Sequence, residues 1–113
     1  MSPLRFLVAA TVAAFALPAQ AAGDATAGSK KVFQCVGCHG VKNWKTAFPE
    51  VYSVPKLTGQ KAGYLVTALK AYKSGERDFA TMRAIAADLS DKDMEDIAAY
   101  YAGQQPTTTA AQK

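Results

Sequence analysis

The stretch Cys35-Val36-Gly37-Cys38-His39 decides how the rest of the chain is interpreted. In one turn of an α-helix, residues three and four positions apart share a face, so Cys35, Cys38 and His39 are expected to project to one side. Two thiols at this spacing can form thioethers with the two vinyl groups of a haem, and the histidine that follows can ligate its iron. The stretch therefore predicts one haem c per chain, attached covalently through Cys35 and Cys38, with His39 as an iron ligand.

Three other interpretations of these five residues compete with haem attachment. A redox-active disulfide needs only the two cysteines, but it usually occurs in an alternating strand–helix pattern, which this chain lacks. A structural zinc site needs four Cys or His ligands, and the two cysteines with the single histidine make three. The third alternative is a chance match within an ordinary core helix. The complete five-residue match and the scarcity of further ligands favour haem.

The first 21 residues have the layout of a secretory signal peptide. Arg5 supplies a positive charge, residues 6–17 form an apolar run interrupted only by Thr11, and Ala19-Gln20-Ala21 is a small-x-small cleavage site. A retained membrane anchor needs about 20 apolar residues, and this run is shorter. We therefore expect residues 1–21 to be removed on export to the periplasm, leaving no stable membrane insertion.

The remainder is long enough for one small domain. Residues 22–103 are expected to form it, and residues 104–113, rich in Thr, Gln and Ala, are expected to be a disordered tail. Without Arg5, 12 Lys and Arg stand against 9 Asp and Glu, a net charge of +3. The basic residues are scattered, which argues against nucleic-acid binding. They fit either an ordinary solvated surface or a docking face for an acidic redox partner.

Apolar residues at helical spacing predict an all-α fold, with no strand-like alternation of any length. Asp24 is a suitable N-cap for a first helix that continues to Cys35. Gly28 within it costs about 1 kcal/mol relative to Ala. Two explanations of Gly28 remain open: another helix crosses there at close range, or the residue is simply flexible near a helix start.

Three further helices follow in the same pattern. Residues 65–72 mark a second helix that Gly75 can close, and residues 82–89 mark a short third one. The last helix begins at Ser90 with a capping box and ends at Gly103. Residues 40–59 contain two prolines and no helical period, so they predict a long loop, which would wrap one edge of a haem. Trp44 in this loop would contact the porphyrin or be a partly exposed loop aromatic, and the sequence does not decide.

The second iron ligand separates electron transfer from the binding of an external molecule. After residue 21 the chain has two methionines, Met82 and Met94. Met94 is already accounted for by the apolar stripe of the last helix and by a hydrophobic staple. Met82 begins its stripe directly after a loop, so its thioether is the freer of the two. These considerations favour Met82, while Met94, a lysine ligand and an open position remain alternatives.

Motifs spread over nearly all of the chain beyond residue 21 carry a family resemblance. They are Ala27-Gly28, residues 35–40, Pro55-Lys56-Leu57-Thr58-Gly59-Gln60, Tyr64-Leu65, Lys73-Ser74-Gly75-Glu76-Arg77, Met82, Leu89-Ser90-Asp91 and Ala98-Ala99-Tyr100-Tyr101. In this order they resemble a class I cytochrome c of the short bacterial, periplasmic, monohaem type. The resemblance implies a small cytochrome c fold, with four to five helices around one haem and the first and last helices crossing.

The same resemblance implies roles for individual residues. The distal ligand of such proteins is a methionine in the position of Met82, and the proline whose carbonyl accepts a hydrogen bond from the proximal histidine corresponds to Pro55. The crossing would bring Gly28 close to Tyr100 and Tyr101. One departure is clear: the glycine-rich turn that often follows the haem motif is replaced here by residues 41–48.

These expectations together describe a monomeric periplasmic electron carrier rather than an enzyme. One-electron transfer would occur through a six-coordinate His39/Met82 haem, between a redox protein donor and a redox protein acceptor. Three alternatives differ in class: a cytochrome subunit accepting electrons within an exported dehydrogenase complex, a ligand-binding haem sensor with an open distal site, and a haem-free thiol oxidoreductase.

Overall fold

The computed structural model describes residues 23–48 and 51–104, which form five helices and one two-stranded ladder. The elements are α1 (Ala25–Ser29), α2 (Phe33–His39), β1 (Lys45–Thr46), β2 (Tyr52–Ser53), α3 (Ala62–Ser74), α4 (Ala80–Ala87) and α5 (Asp91–Gly103). The expected signal peptide and all but the first residue of the expected tail lie outside the described residues. The all-α fold with four to five helices is confirmed.

The predicted first helix is two helices. Asp24 caps α1 as expected, since its Oδ1 accepts hydrogen bonds from the backbone N–H groups of Thr26 at 2.8 Å and Ala27 at 3.3 Å. The chain then turns through residues 30–32 before α2 begins, so a single helix to Cys35 was wrong. The turn buries Val32 and brings Lys31 within ion-pair distance of α5. Apolar spacing alone cannot predict this break, because Val32 and Cys35 keep the helical interval on both sides of it.

The expectation that strands are absent was wrong for four residues within the predicted loop. β1 and β2 pair antiparallel, with Lys45 opposite Ser53 and Thr46 opposite Tyr52. The N–H of Val54 also donates to the carbonyl of Trp44 at 2.9 Å. Two-residue strands are too short to show alternation in a sequence. The ladder ties the two ends of the loop together ahead of Pro55.

Gly28 marks the crossing of α1 and α5, which settles the two explanations of this glycine in favour of close approach. A Cβ at Gly28 would overlap the main-chain carbonyl of Asp96 and lie 3.0 Å from the Cβ of Tyr100. The implied neighbourhood of Gly28 and Tyr100 is therefore confirmed. The absence of a side chain lets two helix backbones approach more closely than any other residue permits.

A buried carboxylate lies at the same crossing. Asp96 is 1% exposed, and its oxygens accept hydrogen bonds from the N–H of Asp24 at 2.7 Å, from Lys31 Nζ at 2.8 Å and from Lys92. Lys31 also contacts Asp93 at 2.7 Å. The Lys31 ammonium, then Lys92 and the Asp24 N–H, hold the pKa of Asp96 well below its usual range. A buried charge that is paired in this way ties the start of α1 to α5.

The predicted helix ends of α3 and α5 are observed. Gly75 closes α3 with φ of 84°, a left-handed conformation that favours glycine. At the start of α5, Ser90 and Asp93 form the complete capping box. A core cluster of Val32, Leu65, Ile97, Ala98 and Tyr101 joins the turn after α1 to α3 and α5. Within the ranges 23–48 and 51–104, no helix has the length and apolar character needed to cross a membrane.

Candidate haem-binding site

A cavity of about 250 Å³ brings the five predicted site residues together. Cys35, Cys38, His39, Pro55 and Met82 all contribute to its wall. They come from α2, from the segment after β2 and from α4, and are up to 47 positions apart in the sequence. Their grouping around one space is what a shared prosthetic group requires, and their individual roles remain predictions.

The two cysteines lie three positions apart in α2 and share a face of it. Both are half-buried and neither forms a disulfide. Burial raises the pKa of the Cys35 thiol, so this group is neutral at physiological pH. A redox-active cysteine normally has a lowered pKa that exposes a thiolate. The arrangement therefore suits thioether attachment better than disulfide exchange.

His39 is oriented by the main chain of the following loop. Its Nδ1 lies 2.7 Å from the carbonyl oxygen of Pro55. A carbonyl can only accept, so Nδ1 carries the proton and Nε2 keeps a free lone pair in the neutral ring. A hydrogen bond of this kind fixes the imidazole and increases its basicity as a metal ligand. The bond implied by the family resemblance is thus present between these two residues.

The two methionines occupy different environments. Met82 is half-buried in the first turn of α4 and belongs to the cavity wall. Met94 is fully buried in α5 and does not contribute to that wall. Met94 would have to leave the core to reach the cavity. Met82 remains the predicted ligand, and it is the one of the two methionines that lies on the cavity wall.

The remaining wall is largely apolar. The predicted stripe of α3 contributes four residues to it, Leu65, Ala68, Leu69 and Tyr72. Only Leu65 among these is fully buried, and the other three are half-buried along the cavity. Leu57, Ile85, Leu89 and Ile97 add further apolar surface. A flat apolar body would cover these side chains, so the wall fits a porphyrin.

A buried hydroxyl supplies an independent test of that fit. Tyr101 is 4% exposed and belongs to the wall, yet within the described residues its Oη has no hydrogen-bond partner. Burial raises the pKa of this phenol above its ordinary value, so the group remains a donor. A buried polar group without a partner costs about 1–3 kcal/mol, and a cofactor with an acceptor atom would remove that cost.

The sequence did not predict the charged and aromatic residues of the wall. Arg77 and Lys56 contribute cations, and Tyr52, Tyr64 and Phe79 contribute rings. Arg77 belongs to a motif of the family resemblance, but nothing in its spacing indicated a place on the cavity. Trp44, by contrast, is 43% exposed and is not part of the wall. This exposure favours the second of its two interpretations, a partly exposed loop aromatic, and a contact with the porphyrin stays a prediction.

Comparisons with known proteins agree with this geometry. The family model "Cytochrome c" matches residues 25–103. Cytochrome c-554(548) of Halomonas halodenitrificans is 47% identical over 87 residues, covering 74% of this chain and 100% of that protein. Cytochrome c4 of Pseudomonas aeruginosa is 41% identical over 87 residues, covering 77% of this chain and 41% of that one.

A solved structure shows the same architecture. The crystal structure of reduced recombinant cytochrome c4 from Pseudomonas stutzeri superimposes with a TM-score of 0.56 at 32% identity. The match covers 72% of this chain and 48% of that one. The chain thus spans about half the length of the cytochrome c4 proteins that it matches, while it covers the Halomonas protein completely.

Proposed function

Since this chain belongs to the cytochrome c family, as a class I bacterial member, we propose that it is a periplasmic carrier of single electrons with His39 and Met82 as the axial ligands of one haem. Family membership makes it an electron-transfer haem protein and not an enzyme. One observation carries the proposed ligand set. His39 donates a hydrogen bond to the Pro55 carbonyl, and the cavity wall that contains these two residues also contains both cysteines and Met82.

Cys35 and Cys38 would hold the cofactor by adding their sulfurs to its two vinyl groups. When bound, the haem supplies a one-electron couple between ferrous and ferric iron. The position of both thiols on one face of α2 fixes the cofactor relative to His39, the next residue after Cys38. Attachment to the same short helix that carries the imidazole keeps that ligand in place in both oxidation states.

The other wall residues would set the redox behaviour. The Pro55 carbonyl keeps the proton on His39 Nδ1 and so presents Nε2 as the donor. As a ligand, the Met82 thioether would favour the reduced iron, as would an apolar wall that excludes water. With both ligands supplied by the protein, little rearrangement would accompany electron transfer. Met82 would also leave no open iron position, and for that reason we favour a carrier over a ligand-binding sensor.

Residues 41–48, which include β1, would offer a surface for redox partners. Val41, Trp44 and Phe48 are exposed apolar residues, and Lys42 and Lys45 beside them are exposed cations. No carboxylate among the described residues forms an ion pair with either lysine. An apolar patch with free positive charge supports brief contact with an acidic partner, and these residues replace the glycine-rich turn of the family.

The ferric absorption spectrum tests the proposed ligand set. The full chain would be produced in a host that matures c-type cytochromes, and the weak far-red methionine-to-iron band would be compared between wild type and Met82→Ala. We expect the band to be lost in Met82→Ala and retained in Met94→Leu. The second variant is a control that costs roughly 1 kcal/mol, since the swap conserves volume. Retention of the band in Met82→Ala would assign the ligand to another residue.

Two further observations separate the proposed carrier from the other classes. Haem that remains on the polypeptide after acid–acetone extraction excludes a haem-free thiol oxidoreductase. Rapid binding of carbon monoxide to the native reduced protein would instead indicate an open distal site. Size-exclusion chromatography of the periplasmic fraction should give a free monomer. Co-elution with a dehydrogenase would make the chain a subunit of that complex.

A further inference from the structure

The joint between α4 and α5 is held by a lysine from a third helix. Lys73, in the last turn of α3, donates a hydrogen bond from Nζ to the main-chain carbonyl of Leu89 at 2.5 Å. Leu89 lies between the end of α4 at Ala87 and the start of α5 at Asp91. The Lys73 side chain is exposed, and no carboxylate in the described ranges lies within 4.0 Å of its ammonium. Its charge is therefore directed at the main chain and not at an acidic side chain.

The same joint is also fixed by the capping box of α5. The Asp93 carboxylate accepts hydrogen bonds from the N–H of Ser90 at 2.9 Å and from its Oγ at 2.7 Å. Asp93 also pairs with Lys31, which lies in the turn before α2, at 2.7 Å. Ser90 follows Leu89 directly in the chain. The joint is thus tied to α3 by Lys73 and to the segment before the cysteine-bearing helix by Lys31.

Helix α4 has few other attachments. It is eight residues long, Phe79 at its N-cap supplies no side-chain hydrogen bond, and Ala86 is its one fully buried residue. The ion pair of Arg83 with Asp78 at 3.4 Å joins two exposed side chains, so solvent screens it. A helix this short is not stable in isolation and depends on tertiary contacts. Its position is therefore sensitive to whatever holds the joint at its C-terminal end.

The joint is connected to the cavity through α4. Met82, Ile85 and Leu89 belong to the cavity wall, so the residue whose carbonyl Lys73 holds is part of the same wall as the thioether. Lys73 itself is not part of that wall. An effect of Lys73 on a group bound in the cavity must therefore pass through the main chain of α4.

We propose that Lys73 is a positioning residue for the Met82 thioether, acting through its hydrogen bond to the Leu89 carbonyl. The proposal rests on the His39/Met82 ligation proposed above. A neutral thioether competes with external ligands for the iron, and a helix that is free to shift weakens that ligand. Residues that orient a metal ligand without touching the metal change affinity by about 10–100-fold when they are mutated. A single exposed hydrogen bond should give a smaller change, about three- to tenfold.

The experiment is an imidazole titration of the haem-loaded ferric full chain at pH 7. Imidazole displaces a methionine ligand, and loss of the far-red methionine-to-iron band measures its apparent dissociation constant. Lys73→Met keeps an aliphatic side chain and removes the ammonium, so we expect imidazole to bind about three- to tenfold more tightly. Lys73→Gln should shift the constant in the same direction.

Lys70→Met is the matched control. Lys70 is also an exposed residue of α3, but its ammonium contacts the Asp91 side chain of α5, at 3.3 Å, and not the main chain of the joint. Solvent screens this pair, so imidazole binding should stay within about twofold of wild type.

Urea midpoints of the same proteins separate positioning from general loosening. Gly28→Ala is the second control, because it loosens the crossing of α1 and α5, in which Lys73 takes no part. It should lower the urea midpoint and leave the imidazole constant unchanged. Equal imidazole binding in wild type and Lys73→Met, or the same tightening in Lys70→Met or Gly28→Ala, overturns the proposal and leaves the haem function intact. Absence of the far-red band in wild type, or its persistence in Met82→Ala, overturns the proposed ligand set and the positioning role together.

Discussion

Gly28 of α1 lies directly against the main-chain carbonyl of Asp96 in α5, with no space for a methyl group between them. The contact joins the first described helix to the last one. It also places the Asp96 side chain where the N–H of Asp24 and the Lys31 ammonium can reach it. The crossing is therefore both tightly packed and electrostatically fixed, and each property can be tested separately.

Gly28→Ala is expected to destabilise the protein by about 1–3 kcal/mol, because the added Cβ would force two helix backbones apart. Gly63→Ala in α3 is the matched control. A Cβ at Gly63 has no heavy atom within 4 Å, so this change should be neutral or stabilise the helix by up to about 1 kcal/mol. Urea unfolding midpoints measure both. Equal stability of the two variants would contradict the close packing at Gly28.

Asp96→Asn is expected to make the free energy of unfolding less dependent on pH in the acid range. The pKa of Asp96 is lowered in the folded state, chiefly by Lys31. Its contribution is thus present above the unfolded value of about 3.9 and is lost as the pH falls toward the lower folded value. In wild type, urea midpoints should fall steeply below about pH 4. The variant should be less stable at pH 7 and change less between pH 4 and pH 2.

Asp91→Asn is the control for that measurement. Asp91 is exposed and forms a surface ion pair with Lys70 at 3.3 Å, which solvent screens. Its acid profile should therefore resemble that of wild type. If Asp91→Asn flattened the profile as much as Asp96→Asn, the acid sensitivity would reflect overall charge and not the buried carboxylate.

Tyr101→Phe is expected to destabilise the haem-loaded protein by about 0.5–1.5 kcal/mol, the usual value of one hydrogen bond. The reason is that the buried Oη has no partner within the described protein, so its partner should be an acceptor of the cofactor. Tyr100→Phe, on the neighbouring half-buried residue, should have little effect. Thermal unfolding followed at the haem absorption band compares the two. Greater stability of Tyr101→Phe would mean that the hydroxyl is unsatisfied with haem bound as well.

The sequence predicted the features of the fold that depend on interactions between residues close together in the chain, and missed those that depend on distant contacts. The capping box at Ser90 and the left-handed Gly75 involve residues within one turn, and both were predicted. The break after Ser29 depends on Lys31 reaching carboxylates that are more than 60 positions away, which local spacing does not contain. The ladder of β1 and β2 has only two residues in each strand, too few for a periodic signal.

The residues of the candidate site also divide into those that a motif in the sequence predicts and those that only tertiary contacts bring to the cavity. Cys35, Cys38 and His39 form a local motif, and family resemblance supplied Pro55 and Met82, which lie on the same cavity wall. The aromatic setting of Arg77 depends on tertiary contacts with α3 and β2, and no spacing in the sequence encodes it. Glu76 and Asp78 on either side instead suggest a neutralised surface charge, which the structure does not have.

The acceptor of the His39 hydrogen bond is a peptide carbonyl, and this limits how evolution can adjust the site. Exchanging the side chain at position 55 leaves that oxygen in the chain, so no substitution at position 55 removes the acceptor of the bond. It can be lengthened or bent only by moving the backbone, for example through β1 and β2 just ahead of it. Natural variation that tunes the imidazole should therefore accumulate in the hairpin, among residues that never touch the ring.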